Sequence, residues 1–225
     1  MITRELVHQS ILPFEGMILR EVVRFLSPKL LFESGTNNGY STGWILAGIK
    51  DSGNLESTFY SCDPRRFPSE ENLPKECWKG KYYTEQSNFL FLKEDSIEFL
   101  VRNRDKKFDF AFLDGDHRKQ IVYEELKRLR IGEGKTIVFL HDIRPNMEVK
   151  EKDPYWGLIE YIEGECKSNY NLFNLIAPSS LATNLDTVRL REVLNSFELD
   201  FNTEIIPLGE VKKWLESQER LQVRI

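Results

Sequence analysis

Five short apolar runs recur along the chain, and each gives way to a polar cluster at its carboxyl end. The runs are KLLFES (29–34), STFYSC (57–62), SNFLFLK (87–93), FDFAFL (108–113) and KTIVFL (135–140). The clusters are Glu33 to Ser41, Cys62-Asp63, Glu94-Asp95-Ser96, Asp114 to His117, and His141-Asp142. Short β-branched and aromatic runs of this kind read as strands, and nearly continuous apolar character means burial on both faces. Between them FEGMILREVVRFL (14–26), STGWILAGIK (41–50), SIEFLVRNR (96–104) and QIVYEELKRLR (120–130) carry apolar residues at helical spacing, with Ser96 a candidate N-cap. Strand and helix in alternation predict an α/β fold, a Rossmann-like doubly wound, mostly parallel sheet with helices on both faces. In such a sheet ligands bind outside the carboxyl ends of the strands, where all five polar clusters fall.

A chain of 225 residues can bury one generous core, so we expect a single domain. It divides into an N-terminal helical, substrate-facing segment (1–27), a core (28–178) and an extension (179–225), the last amphipathic in VRLREVLNSFELDF and GEVKKWLESQERL. Residues 64–86, with three prolines and several aromatics, read as a long loop. The net charge is -5 and Lys and Arg are scattered, which leaves no footprint for nucleic acid. No segment approaches the ~18 apolar residues of a membrane span. Cys62, Cys77 and Cys166 match neither a disulfide framework nor a zinc pattern. A cytoplasmic protein acting on a small molecule is the expectation.

Gly35 and Gly39 allow a sharp turn and close approach of backbone to a ligand. A dinucleotide turn has the form G-x-G-x-x-G, whereas here it is E-x-G-x-x-x-G with Asn at position 37. Glu33 would repel a pyrophosphate and suits a ligand carrying an amino group, which points away from NAD.

E-S-G-T-N-N-G-Y-S-T resembles motif I of class I S-adenosylmethionine-dependent methyltransferases, in the form found in the catechol and caffeoyl-CoA O-methyltransferase group. F-D-F-A-F-L-D-G-D-H and T-I-V-F-L-H-D-I are similar to the fourth-strand and fifth-strand motifs of related small-molecule methyltransferases, so the resemblance covers roughly residues 10–178. It implies that Glu33, Gly35, Thr36, Gly39, Tyr40 and Ser41 surround the methionyl part of the cofactor, that Asp63 accepts from the ribose hydroxyls, and that Asp95 and Ser96 read the adenine edge. Asp114, at the next strand end, joins the cofactor set. A carboxylate is a double acceptor suited to a vicinal diol. Asp95 also fits a helix cap, and both readings can hold.

In the metal-dependent branch of that group a divalent ion, Mg²⁺ or Mn²⁺, holds the acceptor oxygens and lowers the hydroxyl pKa. Asp114 and Asp142 fall at the matching positions, while His141 stands where an acid or amide is common and suits Mn²⁺, Fe²⁺ or Zn²⁺. His117 takes the place of a lysine and offers a general base, with Asp114 beside it in the catalytic pair; the alternative is that it orients Asp114. Asp116 reads as the N-cap of the following helix, His8 as solvated, and Trp44 with Phe108, Phe110 and Phe112 as core.

The resulting expectation is methyl transfer from S-adenosylmethionine to a hydroxyl of a small molecule. Rivals are a non-catalytic S-adenosylmethionine-binding protein and an NAD-linked oxidoreductase. A homodimer is expected by analogy with the resembled group.

Overall fold

The computed structural model describes residues 11, 13–37, 39–65, 88–130, 136–142, 154–165, 171–174, 180–183 and 205–207. In chain order the elements are α1 (Pro13–Leu26), β1 (Leu30–Ser34), α2 (Tyr40–Ser52), β2 (Thr58–Cys62), β3 (Phe89–Leu92), α3 (Ser96–Arg102), β4 (Phe110–Leu113), α4 (Lys119–Leu129), β5 (Ile137–Leu140), α5 (Pro154–Gly164), β6 (Asn171–Asn174), β7 (Ser180–Thr183) and β8 (Ile205–Pro207). Every strand and helix expected from the apolar pattern is present. His8, most of the 64–86 loop and the two amphipathic stretches of the extension lie outside the described residues.

The strands form one sheet in the order β3-β2-β1-β4-β5-β7-β6-β8. The first five are parallel, and β7, β6 and β8 add antiparallel pairings at one end. Three residues of the C-terminal extension, Ser180, Leu181 and Ala182, pair directly with β5, so that extension contributes to the sheet. β8 holds Pro207 at the sheet edge, where a missing N–H is tolerated.

Successive residues of a strand face opposite sides. Leu31, Phe110, Phe112, Ile137 and Phe139 face one layer, packing with Ile18, Leu19, Val22 and Val23 of α1 and Ile45, Leu46 and Ile49 of α2. Phe32, Ala111, Leu113, Val138 and Leu140 face the other, with Phe99 of α3, Leu126 of α4 and Leu158 of α5. Each of these large side chains contributes ~1.5–3 kcal/mol by leaving water. Phe108 precedes β4 and packs at a tilt against Phe32 and Phe99 on the second face, so the aromatic stripe expected at 108, 110 and 112 divides between two layers.

One cap decides between two readings of the sequence and another differs from expectation. Asp95, not Ser96, caps α3, its carboxylate accepting from the backbone N–H of Ile97 (2.8 Å) and Glu98 (3.2 Å). A carboxylate one residue earlier reaches the first-turn amides while its own backbone stays extended. Ahead of α4 the cap position is Arg118, which makes no side-chain cap bond, and Asp116 accepts from the Arg118 backbone N–H and guanidinium. The Arg118 fork draws the Asp116 carboxylate away from the helix end.

Candidate functional site

Strand register decides which side chains meet. β1 pairs with β2 so that Ser34 lies opposite Cys62, and the Gly35 N–H continues the ladder to the Cys62 carbonyl at 2.9 Å. β4 pairs with β5 so that Leu113 lies opposite Leu140, and the His141 N–H continues to the Leu113 carbonyl at 3.0 Å. Asp63 is thereby set beside the glycine turn, and Asp114 beside His141. A cavity of about 440 Å³ opens at these ends, with Gly35, Asp63, Arg65, Asp95, Ser96 and His117 among its walls.

Gly35 has φ +87°, and a Cβ there would stand 2.2 Å from the Asp114 carbonyl oxygen. Only glycine lets β1 turn in contact with the loop after β4. Gly39 follows with φ 72°, and Asn37 with φ 43°. The turn is held from beneath. Glu33 is fully buried and accepts from the hydroxyls of Ser41 (2.6 Å), Thr42 (2.6 Å) and Ser61 (2.5 Å). Burial nevertheless dominates these three bonds and pushes the Glu33 carboxyl up to about 7. Glu33, Thr36 and Ser41 are thus knit into the turn, with Thr36 Oγ1 at 2.6 Å from Ser61 Oγ. Tyr40 lies edge-on to Trp44, which is half-buried and packs its ring over Gly16 of α1 at the margin of the core.

Asp63 is buried, and its carboxylate accepts the Asn37 backbone N–H (2.8 Å), the Arg65 backbone N–H (2.9 Å) and two guanidinium bonds from Arg65 (3.0 and 2.9 Å). Burial alone would raise its pKa; Arg65 and the Asn37 amide outweigh that and hold it below the ordinary carboxylate value. Asp95 lies on the cavity wall while capping α3.

One ligand-capable atom from each of Asp114, His117, His141 and Asp142 lies within 4.8 Å of the others. Asp114 Oδ1 stands 3.1 Å from His117 Nε2 and 3.0 Å from His141 Nδ1. Asp142 is 3.5 Å from both imidazoles, through Oδ2 to His117 Nδ1 and Oδ1 to His141 Nδ1. Burial would raise the Asp114 carboxyl, but both imidazoles hold it below its usual value. The Asp114 bond pushes His117 up. Burial opposes charge on His141, yet Asp114, Asp142 and Glu15 outweigh it and push the imidazole up to about 12. Neither ring nitrogen of His141 has an aligned hydrogen-bond partner, although the side chain is only 9% exposed. Asp142 takes φ 57°, a strained conformation of the kind found at ligand sites.

Donors around one divalent ion, at ~2.0–2.2 Å from it, are separated by no more than about 4.4 Å, so a cluster whose atoms lie within 4.8 Å of one another needs to draw in by only roughly 0.4 Å. Two imidazoles and two carboxylates so close together, with a buried imidazole left without an aligned partner, fit such an ion. Three of the four were expected as metal ligands; His117 joins them and also faces the cavity.

Sequence reasoning missed Glu15 and Glu125. Glu15 of α1 is 1% exposed and stands 3.5 Å from His141 Nε2. Glu125 of α4 is 1% exposed beside the hydroxyls of Ser34 and Ser96, and burial pushes its carboxyl up to about 7. The available signal was phase. Glu15 precedes Ile18, Leu19, Val22 and Val23, and Glu125 falls among Val122, Leu126 and Leu129, so both acids occupy core-facing positions of an apolar stripe.

Residues 32–143 match a protein family described as a methyltransferase domain. A protein of Mycobacterium sp. (strain JLS), provisionally named an O-methyltransferase, is 27% identical over 125 residues, or 55% of this chain and 54% of that relative. The matched region spans about half the length of the curated relatives. The structure is similar to that of an O-methyltransferase from Bacillus cereus in complex with SAH, with TM-score 0.56, 18% identity and coverage of 80% of this chain and 84% of the other. It is also similar to the O-methyltransferase TomG from Streptomyces achromogenes, involved in tomaymycin synthesis and in complex with SAM, with TM-score 0.55, 14% identity and coverage of 80% and 83%.

Proposed function

With a methyltransferase domain over residues 32–143 and a class I methyltransferase fold as premise, we propose that this protein transfers a methyl group from S-adenosylmethionine to a hydroxyl of a small molecule, assisted by a divalent metal. The observation that carries the reading is the Asp114, His117, His141 and Asp142 cluster beside the cavity that contains Gly35, Asp63 and Asp95. Cofactor binding alone requires no such cluster, which disfavours a non-catalytic binder; the turn spacing disfavours an NAD-linked enzyme.

In this reading Gly35 gives the cofactor close access to backbone, Asp63 accepts from the ribose diol, and Asp95 with Ser96 faces the adenine. Glu33, Thr36 and Ser41 act from within the turn, fixing Gly39 and Tyr40 around the methionyl end. Methyl transfer needs the acceptor oxygen in line with the carbon–sulfur bond, so most of the catalysis is positioning. The acceptor oxygen attacks the methyl carbon, and the bond pair of the cleaved carbon–sulfur bond stays with sulfur. A divalent ion held by Asp114, His141 and Asp142 would supply Lewis acidity to the acceptor hydroxyl. His117, with 31% of its side chain exposed and on the cavity wall, accepts the hydroxyl proton.

His117 has a second reading as a fourth ligand, favoured by its place in the cluster. His117→Ala separates the two: retained Mn²⁺ affinity with lost methyl transfer means a base, and lost Mn²⁺ affinity means a ligand. The whole reading is tested by calorimetric titration of S-adenosylmethionine and of Mn²⁺ into the protein, Asp63→Ala and Asp142→Ala. Cofactor affinity should fall in Asp63→Ala and metal affinity in Asp142→Ala; no cofactor heat in the wild type refutes the reading.

The proposal extends to one domain over 1–225, a cytoplasmic setting and a homodimer, the last decided by sedimentation. Among the described residues, no helix is long and apolar enough to cross a membrane.

A further inference from the structure

His141 presents its two ring nitrogens to different surroundings. Nδ1 faces Asp114 Oδ1 at 3.0 Å and Asp142 Oδ1 at 3.5 Å, on the side of the proposed metal. Nε2 faces away from those two carboxylates, toward Glu15 Oε2 at 3.5 Å. Both nitrogens are shielded from solvent and neither has an aligned hydrogen bond. A histidine can give a lone pair to a metal through one nitrogen only when the proton sits on the other, and an acceptor behind the ring fixes that choice.

We propose that Glu15 is a positioning residue that accepts the Nε2–H of His141, so that Nδ1 keeps its lone pair free for a divalent ion shared with the Asp114 and Asp142 carboxylates. The inference rests on the metal reading above and adds a part that comes from a helix outside the strand ends. Glu15 is placed for it by two features. It is in phase with the apolar stripe Ile18, Leu19, Val22 and Val23, which packs against Phe110, Phe112 and Phe139 and carries the first turn of α1 toward the ends of β4 and β5. It also sits in that first turn, where a carboxylate is favoured by the unsatisfied N–H groups of the helix. A carboxylate in a core-facing position is costly unless donors meet it, and the Nε2–H of His141 is one such donor.

The test is the Mn²⁺ dissociation constant of the full chain, measured by electron paramagnetic resonance without cofactor or acceptor, alongside the thermal midpoint. Glu15→Leu continues the apolar stripe, so it should fold with an undiminished midpoint while Mn²⁺ affinity falls about 10- to 100-fold, as expected when an outer carboxylate is removed. Glu15→Gln keeps an oxygen acceptor and should stay within about 3-fold of the wild type, because it restores the orienting bond without the charge. Wild-type affinity in Glu15→Leu overturns the role of Glu15 and leaves the metal reading standing. A Glu15→Gln variant as weak as Glu15→Leu overturns it too, by showing that charge rather than orientation matters. A wild type that takes up no Mn²⁺ overturns the metal reading and this inference with it.

Discussion

Replacing Arg65 with alanine should tighten S-adenosylmethionine binding, although Arg65 lines the cavity. A carboxylate offers about four lone-pair positions, and the Asp63 carboxylate accepts four bonds: Oδ1 takes the Arg65 backbone N–H and Nε, and Oδ2 takes the Arg65 Nη2 and the Asn37 N–H. A ribose diol needs two acceptor positions, and the two backbone bonds hold the carboxylate in place, so the guanidinium is the partner that must leave. Its side chain is 66% exposed, which puts the pair in the range of ~0.2–1 kcal/mol typical of solvent-screened ion pairs. Removing that competitor is worth about 1.5- to 5-fold in affinity. The Arg65 backbone bond survives in Arg65→Ala, so Asp63 keeps its orientation. Calorimetry at low and high salt tests this, because screening weakens the competitor in the wild type and should narrow the gap. A loss of affinity would show that Arg65 itself contacts the cofactor, and a gain undiminished by salt would show that the ion pair is not the competitor; either refutes the argument.

Three further outcomes follow from buried geometry. Gly35→Ala should lower urea-unfolding stability by ~3 kcal/mol or more, because a positive φ adds to a clash with the Asp114 carbonyl, whereas Gly53→Ala, with φ 72° and nothing within 4 Å, should cost only ~1–2 kcal/mol; similar losses in the two variants would sink the claim. Ser61→Ala removes one donor to Glu33 and the partner of Thr36, for a loss of about 1–3 kcal/mol by chemical denaturation, and a change below ~0.5 kcal/mol would mean that water substitutes freely. The carboxyls of Glu33 and Glu125 are both pushed up to about 7 from an ordinary 4.5, so between these values the folded chain holds protons that the unfolded chain has released. Stability should therefore be highest below about pH 4.5 with respect to these groups, fall as pH rises to about 7 and then level off. Glu125→Gln should flatten part of that decline and gain on the order of 3 kcal/mol over the wild type at pH 8, with no gain at pH 4.5; an unchanged pH slope would contradict the assignment.

The parallel half of the fold was legible because both its faces are covered. KLLFES, STFYSC, FDFAFL and KTIVFL are nearly continuous apolar runs, and such runs have few other places to go than the middle of a doubly covered sheet. The strand ends were legible for the same reason, since a carboxylate or imidazole directly after such a run must emerge at the sheet's carboxyl edge. The antiparallel end was less so. NLFN and IIP are only four and three residues long, and their pairing with β7 and with each other depends on contacts remote in sequence. The cap of α4 was misplaced by two positions, at Asp116 instead of Arg118, and that of α3 was left between Asp95 and Ser96, because helix termini are decided by which side chain reaches an amide and not by periodicity.

The less legible part of the site is its rear side. An acid in phase with an apolar stripe is a polar group sent into the core, and burial without a partner is costly enough that a donor is expected opposite it. Glu15 and Glu125 both meet that description, and each arrives behind a strand end: Glu15 behind His141 at the end of β5, and Glu125 beside Ser34 at the end of β1. Reading the helices for their apolar residues alone makes these acids look like exceptions to amphipathicity. Reading them for the partner each one requires connects α1 and α4 to the same carboxyl edge that the strands already marked. The front of the site is thus written at the strand ends, and its support is written as two interruptions in helical stripes.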